Sequence, residues 1–347
     1  MGRGMIFPYF LVLVLMALAA VGLLQGGWFL LGAPLLAFGL VPLFEAFMSP
    51  HHVNPSKEDE KERLNNPGFD RVLALAVLFY AALWALFVTQ VRTGGLEGVS
   101  YWGGALVMGL MCGGVGINIG HELGHRRSRS ANRVAKLLLG STLYMHFFIE
   151  HNRGHHVRVA TEGDPASSRR GEWVYSFWFR SVIGGFRSAW ELEVNRCQRM
   201  NQRVWSLSNE MVRFVLAQAA WLGFMAFLGG VALLFAAVVA SIAGILLLET
   251  VNYLEHYGLQ RKKTERGYER VQPAHSWNSD HPLGRALLFE LSRHSDHHAN
   301  PRRAFAILRS IPNAPQLPTG YPGMILLSLI PPVFFAAMHP RLDALEA

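Results

Sequence analysis

The sequence is poor in cysteine. Its 347 residues include two, Cys112 and Cys197. An iron–sulfur cluster is usually held by four cysteine ligands, and a disulfide framework needs an even set of cysteines that can pair. Two isolated thiols support neither, and Cys112 falls inside an apolar run. We therefore expect no redox centre built from cysteine, so a redox enzyme of this sequence would take its electrons from another protein.

Charge is also scarce, because only 16% of the residues are charged and 51% are hydrophobic. Soluble domains carry about 25% charged residues, and a helix needs about 20 apolar residues to cross a bilayer. The sequence thus predicts an all-α, polytopic membrane protein with six transmembrane helices, at residues 7–24, 27–48, 72–91, 101–120, 212–228 and 231–248. A removable signal peptide is the alternative for the first run, since Arg3 precedes it, but no cleavage site of small residues is evident.

Basic residues are distributed unevenly over the predicted topology. The short connections on one side carry Arg92 as their only basic residue, while the other basic residues of this +8 chain lie on the opposite side. The positive-inside rule assigns that side, with both termini, to the cytoplasm. Its charge favours either anionic lipid or an acidic partner. Nucleic acid is not expected, because no nucleic-acid-binding motif accompanies the charge.

Two polar segments, residues 120–211 and 249–347, contain every clustered histidine, and we predict that they form one cytoplasmic catalytic cap. No fixed-period repeat or Gly/Ser linker divides the chain, so residues 1–347 are interpreted as a single membrane-embedded domain. Residues 136–148 are too short and too polar to cross, which favours an interfacial or buried helix. Residues 323–338 are interrupted by Pro331-Pro332 and are predicted to be re-entrant or surface-lying.

Histidine is what the sequence has in abundance. Three clusters and one short motif contain nine of the fifteen histidines, namely His121, His125, His151, His155, His156, His256, His294, His297 and His298. Zinc takes four ligands and most transition ions take four to six, so one ion cannot use them all. The count predicts two metal ions.

The spacing of the histidines indicates which of them can lie on one helical face, although it leaves open how they divide between the two ions. Residues i and i+4 lie on one helical face, so His121 and His125 can bind one ion together, and His151 and His155 repeat this geometry. His156 is turned by about 100° from His155, towards a neighbouring ion. The third cluster, at i, i+3 and i+4, is predicted to lie on one face of a helix.

Ligating imidazoles usually donate their second N–H to a carboxylate or carbonyl group. The residues beside the clusters that we expect in this supporting role are Glu122, Glu150, Asp164, Glu249, Asn252, Glu255, His275, Asn278, His281 and Asp296. Salt bridges to the abundant arginines are the alternative for the acidic ones. For His146, as for His275 and His281, support of the clusters and ordinary packing are both open, whereas His51, His52 and His339 are expected to be solvated loop residues.

With these motifs in view, the sequence resembles the integral-membrane alkane 1-monooxygenases, which are non-haem di-iron omega-hydroxylases of bacteria. The resemblance rests on residues 118–126 (NIGHELGHR), 150–156 (EHNRGHH), 252–259 (NYLEHYGL), 275–279 (HSWNS) and 293–299 (RHSDHHA), and extends more loosely from about 27 to 332. Two departures are Met48-Ser-Pro-His-His52, where the family usually has an acidic run, and Ser292 in place of a common glutamine.

The resemblance implies two iron ions held by the nine histidines, a bacterial inner-membrane location, and O2-dependent terminal hydroxylation of n-alkanes. It also implies electrons from rubredoxin and its reductase. Ala33 and Ala37, at i and i+4 on the second helix, are candidates for the substrate pocket and would admit medium- to long-chain alkanes; small residues for helix packing are the alternative. Xylene or cymene methyl hydroxylases and membrane fatty-acyl desaturases remain alternative enzymes. A metal transporter is disfavoured because its ligands would lie near the bilayer midplane.

Overall fold

The computed structural model describes residues 6–265 and 267–346. Its α-helices are α1 Phe10–Gln25, α2 Gly32–Leu35, α3 Val41–Glu45, α4 Lys57–Asn65, α5 Pro67–Thr93, α6 Gly98–Met111, α7 Asn118–Gly124, α8 Arg129–Ser141, α9 His146–Glu150, α10 His156–Arg158, α11 Val174–Arg199, α12 Glu210–His256, α13 Pro282–Leu287, α14 His294–Ala299, α15 Tyr321–Ser328 and α16 Pro331–Glu346. The prediction of an all-α fold class is confirmed, because helices make up most of the described chain.

Shorter elements complete the described part of the chain. Single turns of 3-10 helix are Phe7–Tyr9, Gly27–Leu31, Pro273–His275 and Phe305–Ile307, and segments of π-helix are Leu36–Leu40, Cys112–Ile117 and His151–His155. The strands β1 Lys263–Thr264 and β2 Gly267–Tyr268 pair as a small antiparallel hairpin. A π-helix adds one residue to a helical turn and is frequent at functional sites.

Five helical segments of the described chain are long and apolar enough to cross a membrane, where the sequence predicted six. They are Phe7–Gln25, Gly27–Glu45, Pro67–Thr93, Gly98–Gly124 and Glu210–His256. The difference arises in α12, a 47-residue helix that contains both the fifth and the sixth predicted crossing.

The α12 helix is broken at two glycines. Gly229 (φ −145°, ψ 20°) and Gly230 (φ 65°, ψ −158°) leave helical geometry, and the positive φ of Gly230 is one that residues with a Cβ rarely adopt. This break lies beside the turn between α5 and α6, where the Tyr101 hydroxyl donates to the Ala232 carbonyl at 2.7 Å. The two ends of α12, at Glu210 and His256, lie instead on the side of the histidine clusters.

Other helix bounds differ from the predictions for local reasons. Helix α5 begins before residue 72, because the Asn66 side chain accepts from the Gly68 backbone N–H and Pro67 occupies the first turn, where it loses no helical hydrogen bond. Residues 136–148 are not one helix. The backbone of Leu143 has a φ of 56°, so α8 ends at Ser141 and α9 starts at His146.

The fourth crossing contacts α12 directly through its backbone. A Cβ on Gly244 would lie 2.5 Å from the Cβ of Cys112 and 2.9 Å from the backbone nitrogen of Gly113. Glycine is therefore required at this contact. Because Cys112 begins the π-helix that leads into α7, the contact fixes the position of His121 relative to His256.

Candidate metal centre

The nine clustered histidines lie in two groups. The first contains His121, His125, His151, His156 and His297, and the second contains His155, His256, His294 and His298. Within each group the candidate ligand nitrogens all lie within 4.8 Å of one another. Helices α7, α10, α12 and α14 and one π-helix contribute to the two groups, so chain segments far apart in sequence meet at one place.

The nitrogen separations fit shared ions. In the first group, Nε2 of His151 lies 3.0 Å from Nε2 of both His125 and His156, and Nε2 of His121 lies 3.0 Å from that of His297. Two imidazole nitrogens bound to one ion at about 2.0–2.1 Å are separated by roughly 3.0–3.4 Å. The donor atoms of the first group are thus spaced as ligands of one ion are.

The second group has the same spacing. Nε2 of His155 lies 3.2 Å from Nε2 of His298, and Nε2 of His294 lies 3.2 Å from that of His256. All four side chains are buried. Several buried imidazoles whose Nε2 atoms converge are the donor set that iron, copper, zinc or nickel accepts.

The second cluster is divided between the groups by its π-helix. We expected His151 and His155 to lie on one helical face, but they lie in different groups. In the π-helix His151–His155 hydrogen bonds run from residue i to i+5, so His156 stands over His151 while His155 points to the other group. The expectation that this cluster spans both groups is met, but with other members.

The third cluster is divided as well. We expected His294, His297 and His298 on one face of α14, but His297 faces the first group while His294 and His298 face the second. On an α-helix the residue at i+3 is rotated by about 60° from residue i and by about 100° from i+4. This rotation is enough to separate the rings when a candidate site lies on either side of the helix.

Burial favours the neutral form of six of these imidazoles. It lowers the pKa of His125 to about 3, with a smaller contribution from the neighbouring His155. Burial first, and the adjacent imidazoles second, also lower the pKa values of five more clustered histidines, His151, His156, His294, His297 and His298. A neutral imidazole offers a lone pair, which is the form that binds a metal.

Three of the residues predicted to support the clusters lie against a ring in the second group. The Asp164 carboxylate lies 2.9 Å from Nδ1 of His155, and this contact outweighs burial and lowers the pKa of Asp164. Glu255 Oε1 lies 3.2 Å from Nδ1 of His294. Nδ1 of His256 donates to the backbone carbonyl of His275 at 3.1 Å, which leaves its Nε2 lone pair free.

The remaining predicted supporting residues hold the surrounding structure. Within the described chain they bond to residues outside the clusters. Their partners are Arg126 for Glu122, Arg158 and Ser188 for Glu150, Tyr144 and Asn252 for Glu249, Ser295 for Asn278, Ser279 for His281, and Asn300 and Arg303 for Asp296. Glu122, Glu150 and Asp296 therefore form the salt bridges that we had given as their alternative.

Sequence reasoning missed a buried ionic cluster beneath α14. Arg293, the residue before His294, donates to Asp280 at 3.0 Å. Asp280 also lies 3.0 Å from Nδ1 of His52, whose side chain is 60% exposed and lies in a loop, as expected. A charged residue directly before a cluster was the available signal, but its partner comes from a loop that the sequence does not place.

The apolar residues near the centre line a narrow cavity of about 40 Å³ between the helices. Ala37 lines it together with Phe38, Leu247 and Asn118, and Asn118 is one helical turn from His121. Ala33 is buried but is not among the residues that line this cavity. Of the two alanines predicted for the substrate pocket, Ala37 therefore lines this cavity and Ala33 does not.

This fold and site define a class of protein, a polytopic membrane protein with histidine-rich candidate metal groups at one end of its helices. The family model described as fatty acid desaturase matches residues 97–328. Alkane 1-monooxygenase of Pseudomonas putida is 40% identical over 322 residues, covering 91% of this chain and 79% of the relative. Alkane 1-monooxygenase 1 of Alcanivorax borkumensis is 40% identical over 310 residues, covering 88% and 76%.

The xylene/toluene monooxygenase hydroxylase component of Pseudomonas putida is 30% identical over 340 residues, covering 96% of this chain and 88% of the relative. Identity is thus higher to the alkane enzymes. The chain belongs to the alkane 1-monooxygenase family.

Proposed function

We propose that this protein hydroxylates the terminal carbon of medium- to long-chain n-alkanes with O2, at two iron ions held by the nine histidines. The observation that carries the proposal is the sorting of those histidines into two compact groups with converging ring nitrogens, in a chain 40% identical to alkane 1-monooxygenases. Iron bound there would supply the activation of O2. The protein contributes ligand position, exclusion of water and placement of the substrate.

We infer that α12 crosses the membrane twice, which gives six crossings. The break at Gly229 and Gly230 lies at the end of the molecule opposite to both termini of α12, as expected for a hairpin of two helices. With Arg92 as the only basic residue of the opposite turns, residues 120–211 and 249–347 form a cap on the cytoplasmic side of a bacterial inner membrane. Both termini are then cytoplasmic, and residues 1–347 act as one domain.

The proposed substrate route leads from the lipid to Asn118. A lipid-side groove shares Phe38, Leu110, Leu247 and Ile325 with the narrow apolar cavity, so these four side chains separate the two spaces. Because the cavity is only about 40 Å³, an alkane enters when the side chains lining it move apart. Burial of each CH2 contributes about 0.8 kcal/mol, which favours this route for a long chain.

Ala37 is proposed to set the accepted chain length. Its buried methyl group faces the cavity, so a bulky side chain there would shorten the space for the substrate. The variant Ala37→Trp should lose activity on long alkanes before short ones, as measured by gas chromatography of the alkanols. Unchanged activity on every chain length would remove Ala37 from the pocket, and Ala33→Trp separates this effect from general disruption of the same helix.

The proposed docking surface for the electron donor is an arginine-lined cleft of about 860 Å³. It is lined by His125 and His156 of the first group, and its arginines are Arg126, Arg127, Arg153, Arg302 and Arg303. An acidic carrier such as rubredoxin, fed by its reductase, would be attracted to this charge and would approach the first ion. The chain itself offers two cysteines, both buried, which supports an external donor.

Product analysis tests the proposed activity against its alternatives. Purified, iron-loaded protein is incubated with a reduced carrier, O2 and one of three substrates: octane, a fatty acyl chain or xylene. We expect 1-octanol as the main product. An unsaturated acyl chain would instead indicate a desaturase, and a benzylic alcohol formed faster than octanol would indicate an aromatic methyl hydroxylase.

A further inference from the structure

A second, polar cavity lies behind the histidine groups and plays no part in the function described so far. It is small, about 20 Å³, and is lined by His151 of the first group, His155 of the second, and the buried side chains of Tyr144, His146, Glu249 and Asn252. In this cavity, polar side chains other than the nine histidines therefore lie next to a member of each histidine group.

Two polar atoms that line this cavity are left without partners. Nε2 of His146 and Oε2 of Glu249 are buried and have no hydrogen-bond partner within 3.5 Å in the described part of the chain, and the Ser181 hydroxyl, which also lines the cavity, lies near Glu249. Buried polar groups are nearly always hydrogen-bonded to protein or to an ordered water, because an unpaired group loses its hydration and gains nothing in return. Two such atoms on one cavity therefore point to a bound polar molecule.

Both side chains are held in place by their other contacts. Oε1 of Glu249 accepts from the Tyr144 hydroxyl at 2.6 Å and from the Asn252 amide at 3.0 Å. The His146 ring packs against Tyr144, with ring centroids 4.5 Å apart, and against Phe186 at 5.4 Å. The free Nε2 and Oε2 atoms are therefore fixed on the cavity wall.

The size of the cavity selects the ligand. About 10–15 Å³ of void is enough for one water molecule when two to four polar groups surround it. The 20 Å³ available and the two unpartnered atoms meet both conditions for a single water.

We propose that this cavity binds one water between His146 and Glu249, and that this water passes protons to the metal centre. The proton transfer, unlike the binding of the water, rests on the proposed function. Hydroxylation breaks a C–H bond and the O–O bond and forms a C–O bond. Together with O2 it consumes two electrons from the carrier and two protons, and it releases the second oxygen atom as water.

The bound water gives a proton, between His151 and His155, to the oxygen atom that leaves as water. It regains one through its hydrogen bond to Glu249. The cavity lies close to solvent, because Glu150 also lines it and is bonded to Arg158 at 2.7 Å, whose side chain is 32% exposed. Arginine keeps its proton, so solvent water that reaches this ion pair replaces the protons used in the reaction.

Gly185 allows the water to be displaced without changing either polar residue. A Cβ on Gly185 would lie 4.0 Å from His146 Nε2 and 3.8 Å from Glu150 Cγ, so a methyl group fits without a clash and occupies the room of the water. Alanine also favours the interior of α11, so Gly185→Ala should fold. The matched control is Gly223→Ala, since a Cβ at Gly223 meets nothing within 4 Å.

The first test is a high-resolution density map of the metal-loaded protein. We expect an ordered water within hydrogen-bonding distance of His146 Nε2 and Glu249 Oε2 in the wild type and in Gly223→Ala, and none in Gly185→Ala. An empty cavity in the wild type, or a non-polar occupant, would overturn the proposal. This readout needs no substrate, so it stands even if the chain oxidises something other than an alkane.

The second test measures proton supply. Gly185→Ala and His146→Phe should keep their metal content and their KM for octane, but lose about 100-fold in kcat, the low end of effects on proton transfer. Alkanol formed per electron should fall, and the kcat ratio between H2O and D2O should change. Unchanged kcat and isotope ratio in both variants would overturn the relay, while absence of alkanol from the wild type would overturn the proposed function instead.

Discussion

At the scale of single residues, the orientation of a histidine ring depends on the group that contacts its Nδ1 atom. Asp164 fixes His155, the His275 carbonyl fixes His256, and Glu255 lies beside His294. These three contacts all belong to the second group. An acceptor at Nδ1 keeps the Nε2 lone pair directed at the ion and raises its basicity.

Substitution of Asp164 tests this arrangement. Asp164→Asn keeps the size of the side chain but removes its charge, and loss of such a partner typically weakens metal binding about 10–100-fold. We expect the second ion to be released by a chelator at concentrations that leave the first bound, as followed by metal analysis. The control Asp343→Asn changes an exposed carboxylate paired with Arg170 and should bind as the wild type does. Equal retention of both ions in Asp164→Asn would contradict this role.

At the scale of secondary-structure elements, the site depends on irregular helices. The sequence predicted that nine histidines meet, because their clustering and spacing are visible in one dimension. It did not predict which of them share a group, because the π-helix at His151 shifts the helical register and no residue pattern in the sequence predicts that π-helix. The break in α12 was expected, because Gly229 and Gly230 were predicted as the tight connection between two separate apolar runs.

The contact between α12 and the π-helix at Cys112 provides an element-scale prediction. Gly244→Ala inserts a methyl group where the Cys112 Cβ would be 2.5 Å away, so the two helices must separate. Overpacking of this kind costs about 1–3 kcal/mol, and we expect a lower melting temperature in detergent together with weaker metal retention. Gly223→Ala, with open space around it, should melt as the wild type does; a Gly244→Ala variant that does the same would show that the contact is loose.

Glu193 connects three elements and predicts a pH dependence. It accepts from Arg153, from Arg196 and from the backbone N–H of Glu210. Burial alone would raise its pKa, but the arginines lower it to about 2. Since the unfolded value is about 4.3, this stabilisation is complete above that pH and is lost as the pH falls towards 2.

The variant Glu193→Gln isolates the contribution of the carboxylate charge to the stability. We expect it to destabilise the protein by about 1–3 kcal/mol at neutral pH, because a charged hydrogen-bond acceptor is lost. The difference in melting temperature from the wild type should shrink as the pH is lowered from 5 to 3. A difference that does not vary over this range would mean that the carboxylate charge is not what stabilises the junction.

At the scale of the whole molecule, the apolar helices position the site at one end of the bundle and the basic residues surround it. The sequence was sufficient for this division, since apolar runs and arginine-rich segments alternate along the chain. The narrow cavity and the ionic cluster at Arg293 were not predictable, because each is formed by residues brought together only by folding. The family resemblance supplied iron and the electron donor, which geometry alone does not select.

Electrostatic docking predicts a salt-dependent rate. Arg127→Glu and Arg302→Glu reverse exposed charges at the cleft and should raise the KM for an acidic carrier about tenfold at low salt. The effect should fade above about 0.1 M salt, where the screening length is about 10 Å. Arg199→Glu makes the same charge change on α11, outside the cleft, and serves as the control. Identical salt profiles for all variants would argue against docking at this surface.

The most direct test of the central claim is Mössbauer and X-ray absorption spectroscopy of the purified, 57Fe-loaded protein. The account predicts two iron ions per chain, each surrounded mainly by imidazole nitrogen, with one signal lost in His294→Ala and the other in His297→Ala. A single ion per chain, or a coordination shell made mostly of oxygen or sulfur, would contradict it.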